Sequence, residues 1–147
     1  VESRPRARDF YAQKLGFGLV FDGDGTGAIG PMPEPSNFGI PLNHTLKALR
    51  SAAALSPTPG ETGRVEVMQI TQFVGIPQGE RARAPNLGIL SVRYPVRDLA
   101  GYRSALAKEG VTPVQQAEAV PVEGLGRTDL LAVADPDGSL TGFYHVR

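Results

Sequence analysis

The chain has 147 residues and carries 15 basic against 15 acidic side chains, so nothing in its charge marks a nucleic-acid footprint or an anionic membrane surface. Gly (18) and Pro (13) together make about a fifth of it, below the level of roughly 25–30% at which disorder becomes the default reading. The absence of cysteine excludes disulfides, thiolate metal ligands and thiol nucleophiles and points to a reducing, cytoplasmic setting, and no apolar run approaches the ~18 residues of a membrane span.

Glu2 to Leu15 reads as a helix, with Ser3 placed to cap it and Pro5 in the first turn, where a missing N–H costs nothing. Its arginines at positions 4, 6 and 8 read as a solvated face. The segment FGLVFDG (17–23) follows as a strand, and Gly23 to Pro41 is a Gly- and Pro-dense loop long enough to act as a lid. HTLKALRSAAAL (44–55) and GRVEVMQITQF (63–73) flank the turn SPTPGETG as a hairpin. Val65 and Val67 alternate with Glu66 and Met68, which gives that strand one face on a core and a second face free for other work.

The proline-bounded stretch IPQGERARAP (76–85) reads as a linker. Beyond it come a strand (GILSVRYPV), a helix (RDLAGYRSALAKEG), two strands (TPVQQAEAVPV and RTDLLAVAD), the turn DPDG and a last strand (SLTGFYHV). The chain is thus expected to be one domain, 1–147, of two modules, 1–75 and 86–147, joined by residues 76–85.

A repeat supports that division. Aligned on Val1 and Val96, Arg8 stands opposite Arg103 and Tyr11 opposite Leu106. Each copy ends at a glycine, Gly16 or Gly110, suited to cap a helix with positive φ. The second copy is preceded by a strand and the first only by Val1. The expectation is two βαβββ modules, α+β in class, forming a curled antiparallel sheet around a cavity, with the first strand of the first module missing from this sequence.

These segments resemble the vicinal oxygen chelate superfamily of glyoxalases, bleomycin-resistance proteins and extradiol dioxygenases. RDFYAQKLGFGLVFD is similar to that family's opening helix and strand. GRVEVMQI is similar to the strand closing the first module, YPVRDLAGYRSALAKEGV to the second helix and VADPDGSLTGFY to the closing hairpin. The resemblance implies a cavity in which His or Glu side chains from four strands hold a divalent metal. Carried over by position, one ligand falls before Val1, one on Ser91, one on Glu66 and one on Gly142. Serine is a poor ligand and glycine none, so the expectation is a site without a bound metal or other cofactor.

Glu66 is the candidate catalytic base; Ser91 and Gly142 by that carry-over, Met68 and Tyr144 by their phase with Glu66 and Gly142, His44 by its place after the proline-rich loop, and Arg93 as a polarising cation are the candidate substrate-binding positions. Glu66 is equally placed to pair with Arg93 or Arg64. Tyr144 lies in phase with Gly142 and should face the cavity, whereas His145 should face away. The implied function is binding of a small organic molecule. Two readings stand beside it: a lyase, isomerase or dioxygenase-type enzyme using Glu66, and a structural or partner-binding module of a larger polypeptide. The expected partners are a small-molecule ligand and a second copy of the chain in a homodimer, with no nucleic acid and no membrane.

Overall fold

A computed structural model describes residues 1–23, 49–60, 63–71, 75, 76, 89 and 91–147. The chain divides into two compact units, Val1–Pro77 and Gln78–Arg147. Most of the loop Gly23 to Pro41, His44 and most of the linker lie outside the described residues.

The first unit runs α1 (Arg4–Asp9), a π-helical turn (Phe10–Lys14), β1 (Gly18–Asp22), β2 (Leu49–Ser56) and β3 (Val65–Thr71). The strands form an antiparallel sheet in the order β1-β2-β3. Pro5 occupies the first turn of α1, and Ser3 is its N-cap by backbone geometry, without a capping bond from its side chain. The π turn widens the helix end, so that Leu15 N–H bonds to Phe10 O at 3.1 Å and Phe17 N–H to Tyr11 O at 3.0 Å. Gly16 turns the chain at φ +74°, and Tyr11, Leu15 and Phe17 are buried around that turn.

The helix packs on β2 and β3. The run Ala52-Ala53-Ala54 is a poor β-former by propensity, yet its short side chains let the helix approach the central strand closely, and Ala53 is fully buried. Residues paired across strands share a face. Arg4 N–H donates to Gln69 Oε1 at 3.0 Å, which makes the Gln69, Val67 and Ala53 face the helix side. Glu66, Met68, Ala54 and, through its pairing with Ala54, Phe21 lie on the opposite face.

The arginines at positions 4, 6 and 8 do not form the solvated face that the sequence suggests. Only Arg6 of the three is exposed. Arg4 is 2% exposed and its guanidinium bonds to Asp22; Arg8 reaches the same carboxylate at 2.8 Å and Asp9 at 2.7 Å. A register shift between Leu19 and Phe21 sets Asp22 opposite Ala53, on the helix side, where it meets both cations.

The second unit runs β4 (Ser91–Pro95), α2 (Leu99–Lys108), β5 (Gln115–Val122), β6 (Gly126–Ala134) and β7 (Leu140–Val146). Its sheet has the order β4-β7-β6-β5, antiparallel except for the parallel β4–β7 pair that a βαβββ chain path produces. Asp98 caps α2 by accepting Gly101 N–H at 2.8 Å. The helix ends in a Schellman motif: Gly110, at φ +72°, donates to Ala107 O at 3.1 Å and Val111 to Leu106 O at 2.9 Å. The repeated glycines therefore do the same job in both units. Asp135 closes the last hairpin, its carboxylate accepting the N–H groups of Asp137 and Ser139 at 2.9 and 2.8 Å.

The helix α2 covers one face of this sheet. Tyr102 of the helix lies 4.5 Å from Phe143 by ring centroids, and Tyr94 lies 6.3 Å from Phe143 on the same side. Leu106, Leu131, Val133 and Phe143 complete that core. His145 also points this way, its Nδ1 at 3.2 Å from Val96 O, as strand alternation requires. No helix among the described residues is long and apolar enough to cross a membrane.

Candidate functional site

The face of the second sheet away from α2 carries the candidate site. One row across all four strands runs Arg93 (β4), Gly142 (β7), Ala132 (β6) and Gln115 (β5), fixed by the pairings Arg93 with Gly142, Gly142 with Ala132 and Ala132 with Gln115. The next row holds Pro95, Tyr144, Leu130 and Ala117. Small residues at the middle of the first row leave a recess of about 260 Å³ with Ala117, Leu130 and Ala132 as apolar lining and Arg93, Gln115 and Gln116 as polar lining.

Gly142 has a steric role here. A β-carbon at that position would lie 2.7 Å from Arg93 Cγ and 3.5 Å from its Cδ, closer than packed carbons tolerate, so the Arg93 stem lies directly over the glycine. Arg93 is exposed and has no ion pair among the described residues. No carboxylate among the described residues lines the recess.

A second recess of about 330 Å³ lies at the α2 side, beside Arg103, Gln116 and Asp129. Its carboxylates are spoken for: Asp129 accepts Ala119 N–H at 2.9 Å and Arg147 Nε at 2.8 Å, and Arg147 also reaches Glu118 at 3.2 Å. The bond from Ala119, and then those from Arg147, hold the Asp129 carboxyl below its usual range.

The sequence-derived positions fall into two sets. Glu66 and Met68 share the open face of the first sheet, where Glu66 is exposed and Met68 half-buried; Glu66 makes no ion pair with Arg64 or any other described residue. Ser91, Arg93, Gly142 and Tyr144 share the open face of the second sheet, and of these Arg93 lines the recess. His44 lies outside the described residues. Sequence reasoning passed over Gln115, Ala117, Leu130 and Ala132. Strand alternation carries Leu130 and Ala132 in phase with each other, but only cross-strand register joins them to Arg93.

The donors in hand do not fit the divalent metal of the fold's better-known members. Position 142 offers no side chain and position 91 a hydroxyl, and no group of three or more His, Asp or Glu side chains among the described residues is arranged to hold an ion.

No family model matches the sequence, and no curated protein matches it by sequence. Solved structures match its fold over nearly the whole chain. A glyoxalase family protein from Bacillus cereus superposes with a TM-score of 0.66 at 22% identity, covering 99% of this chain and 87% of that one. A member of the glyoxalase/bleomycin resistance protein/dioxygenase superfamily from Sphaerobacter thermophilus gives 0.54 at 22% identity, covering 99% and 90%. An antibiotic binding protein from Streptomyces sp. CB03234 gives 0.54 at 19% identity, covering 100% and 89%. The chain therefore has the α+β fold of the glyoxalase/bleomycin-resistance/dioxygenase superfamily, as the sequence resemblance implied.

Proposed function

We propose that this chain binds a small organic molecule in the recess on the open face of its second sheet, without a metal ion. The observation that carries this reading is the recess itself: an apolar lining of Ala117, Leu130 and Ala132 beside a few polar groups, the usual make-up of a small-molecule site. That an antibiotic binding protein shares the fold supports it. The absence of cysteine supports a cytoplasmic setting. The outer edge of β3, which has no strand neighbour among the described residues, supports a homodimer joined there by a second copy.

Titration with the neutral aromatic probe N-phenyl-1-naphthylamine, followed by amide NMR shifts, tests the reading. Shifts should concentrate at Ala117, Leu130 and Ala132 and persist in the presence of a chelator. Binding that vanishes on chelation, or shifts scattered over the surface, would overturn it.

That Glu66 is exposed and has no ion pair among the described residues favours a second reading, a lyase or isomerase in which Glu66 removes a proton. Under that reading Glu66→Gln abolishes turnover of a substrate found by screening and leaves probe binding unchanged.

A further inference from the structure

Resting on the small-molecule reading, we infer that the recess selects molecules that combine a flat apolar body with a single anionic group, carboxylate or sulfonate, and that Arg93 reads that group. Three observations converge. The stem of Arg93 is laid across β7 by the contact with Gly142, which fixes the side chain over the row that ends in Ala132 and Gln115. Arg93 lines the recess, has no ion pair among the described residues, and shares that recess with no Asp or Glu. The carboxylates nearest along the same strands, Glu118 and Asp129, are both engaged by Arg147. A planar guanidinium fork with no ion pair among the described residues, above an apolar lining, favours a bidentate oxyanion partner, and Gln115, at the far end of the same row, adds an amide donor.

Gly142 thereby acquires a purpose as a positioning residue. Any larger residue would push the arginine stem off its track, so the glycine determines where the positive charge stands.

Two fluorescent probes with the same aryl skeleton separate the charge from the shape: 1-anilinonaphthalene-8-sulfonate carries a sulfonate, and N-phenyl-1-naphthylamine is neutral. The anionic probe should bind about tenfold tighter, an advantage that shrinks as salt is raised, with amide shifts at Ala117, Leu130 and Ala132. In Arg93→Gln the advantage should vanish, the anionic probe losing far more affinity than the neutral one. Gly142→Ala keeps the charge yet should lose most of the advantage by displacing it, and Arg93→Lys should retain a part. An unchanged melting temperature and amide spectrum certify that each variant folds, and if Arg93→Gln fails that check, Gly142→Ala and the salt series decide. Equal affinities for the two probes, or an Arg93→Gln effect equal on both, would overturn the anion inference and leave the recess standing. Failure of both probes to bind would remove the small-molecule reading with it.

Discussion

The α-ammonium group of Val1 donates to the carbonyl of Met68 at 2.8 Å, and Val96 N–H donates to the carbonyl of Tyr144 at 2.8 Å. Met68 and Tyr144 stand at equivalent places on the closing strands of the two units, and Val1 and Val96 at equivalent places before the two helices. The internal repeat is therefore preserved down to a single hydrogen bond.

The same contact tells which backbone groups of β3 face outward. Because Met68 presents its carbonyl away from β2, the amides of Glu66, Met68 and Ile70 point to the outer edge, and those of Val67 and Gln69 point to β2. In dilute protein, hydrogen exchange should be fast at the first three and slow at the last two. At high concentration the outer three should gain at least about tenfold protection as two copies pair there. Unchanged exchange across the concentration series would exclude that mode of dimerisation.

The buried Arg4 depends on Asp22. With Asp22→Asn the guanidinium keeps its burial and loses its counter-charge, and Arg8 loses one of its two carboxylate partners. The expected cost is about 3 kcal/mol, read as a lowered urea midpoint with an unchanged slope. A loss below about 1 kcal/mol would show that water already reaches the pair.

Ala119 sits at φ +51°, inside the bulge between Ala117 and Val120, with its N–H held by Asp129. Left-handed backbone costs an alanine about 1 kcal/mol that glycine does not bear, an amount partly offset by the freer unfolded chain. Ala119→Gly should therefore stabilise by about 0.5 kcal/mol, raising the melting temperature by roughly 1–2 °C.

Burial raises the Tyr102 pKa from its unfolded value of 10.0. Below pH 10 the phenol is neutral in both states and has no effect on the pH dependence. As pH rises through 10.0 the unfolded chain sheds a proton that the folded one retains, so stability must fall with pH from that point. Tyr94, raised in the same direction, adds to the slope. Tyr102→Phe should flatten the alkaline limb of a denaturation-versus-pH curve; an unaltered limb would assign it elsewhere.

Element order and the repeat were legible because they rest on local chemistry. Glycine after a run of helix formers, Pro5 in a first turn and the DPDG turn each act within a few residues of chain, and Gly16 and Gly110 adopt the positive φ their positions imply. What escaped depends on register. Helical periodicity puts Arg4 and Arg8 on one stripe but does not say that a shifted β1 would bring Asp22 to meet them. Gln115 and Arg93 stand 22 positions apart in sequence, yet the order β4-β7-β6-β5 sets them at the two ends of one row. Gly142, conspicuous in the sequence for the ligand it does not supply, is legible as a steric device only once the arginine stem above it is seen.

Gly142 and Arg93 also constrain each other's replacement. A glutamate at 142, the residue that the sequence resemblance would put there, would need the volume that the Arg93 stem now fills. The two positions are coupled: a side chain at 142 and a full-length arginine at 93 compete for one volume, so shortening residue 93 should lower the cost of any residue larger than glycine at 142. One van der Waals contact thus makes the effect of a change at either position depend on the residue at the other.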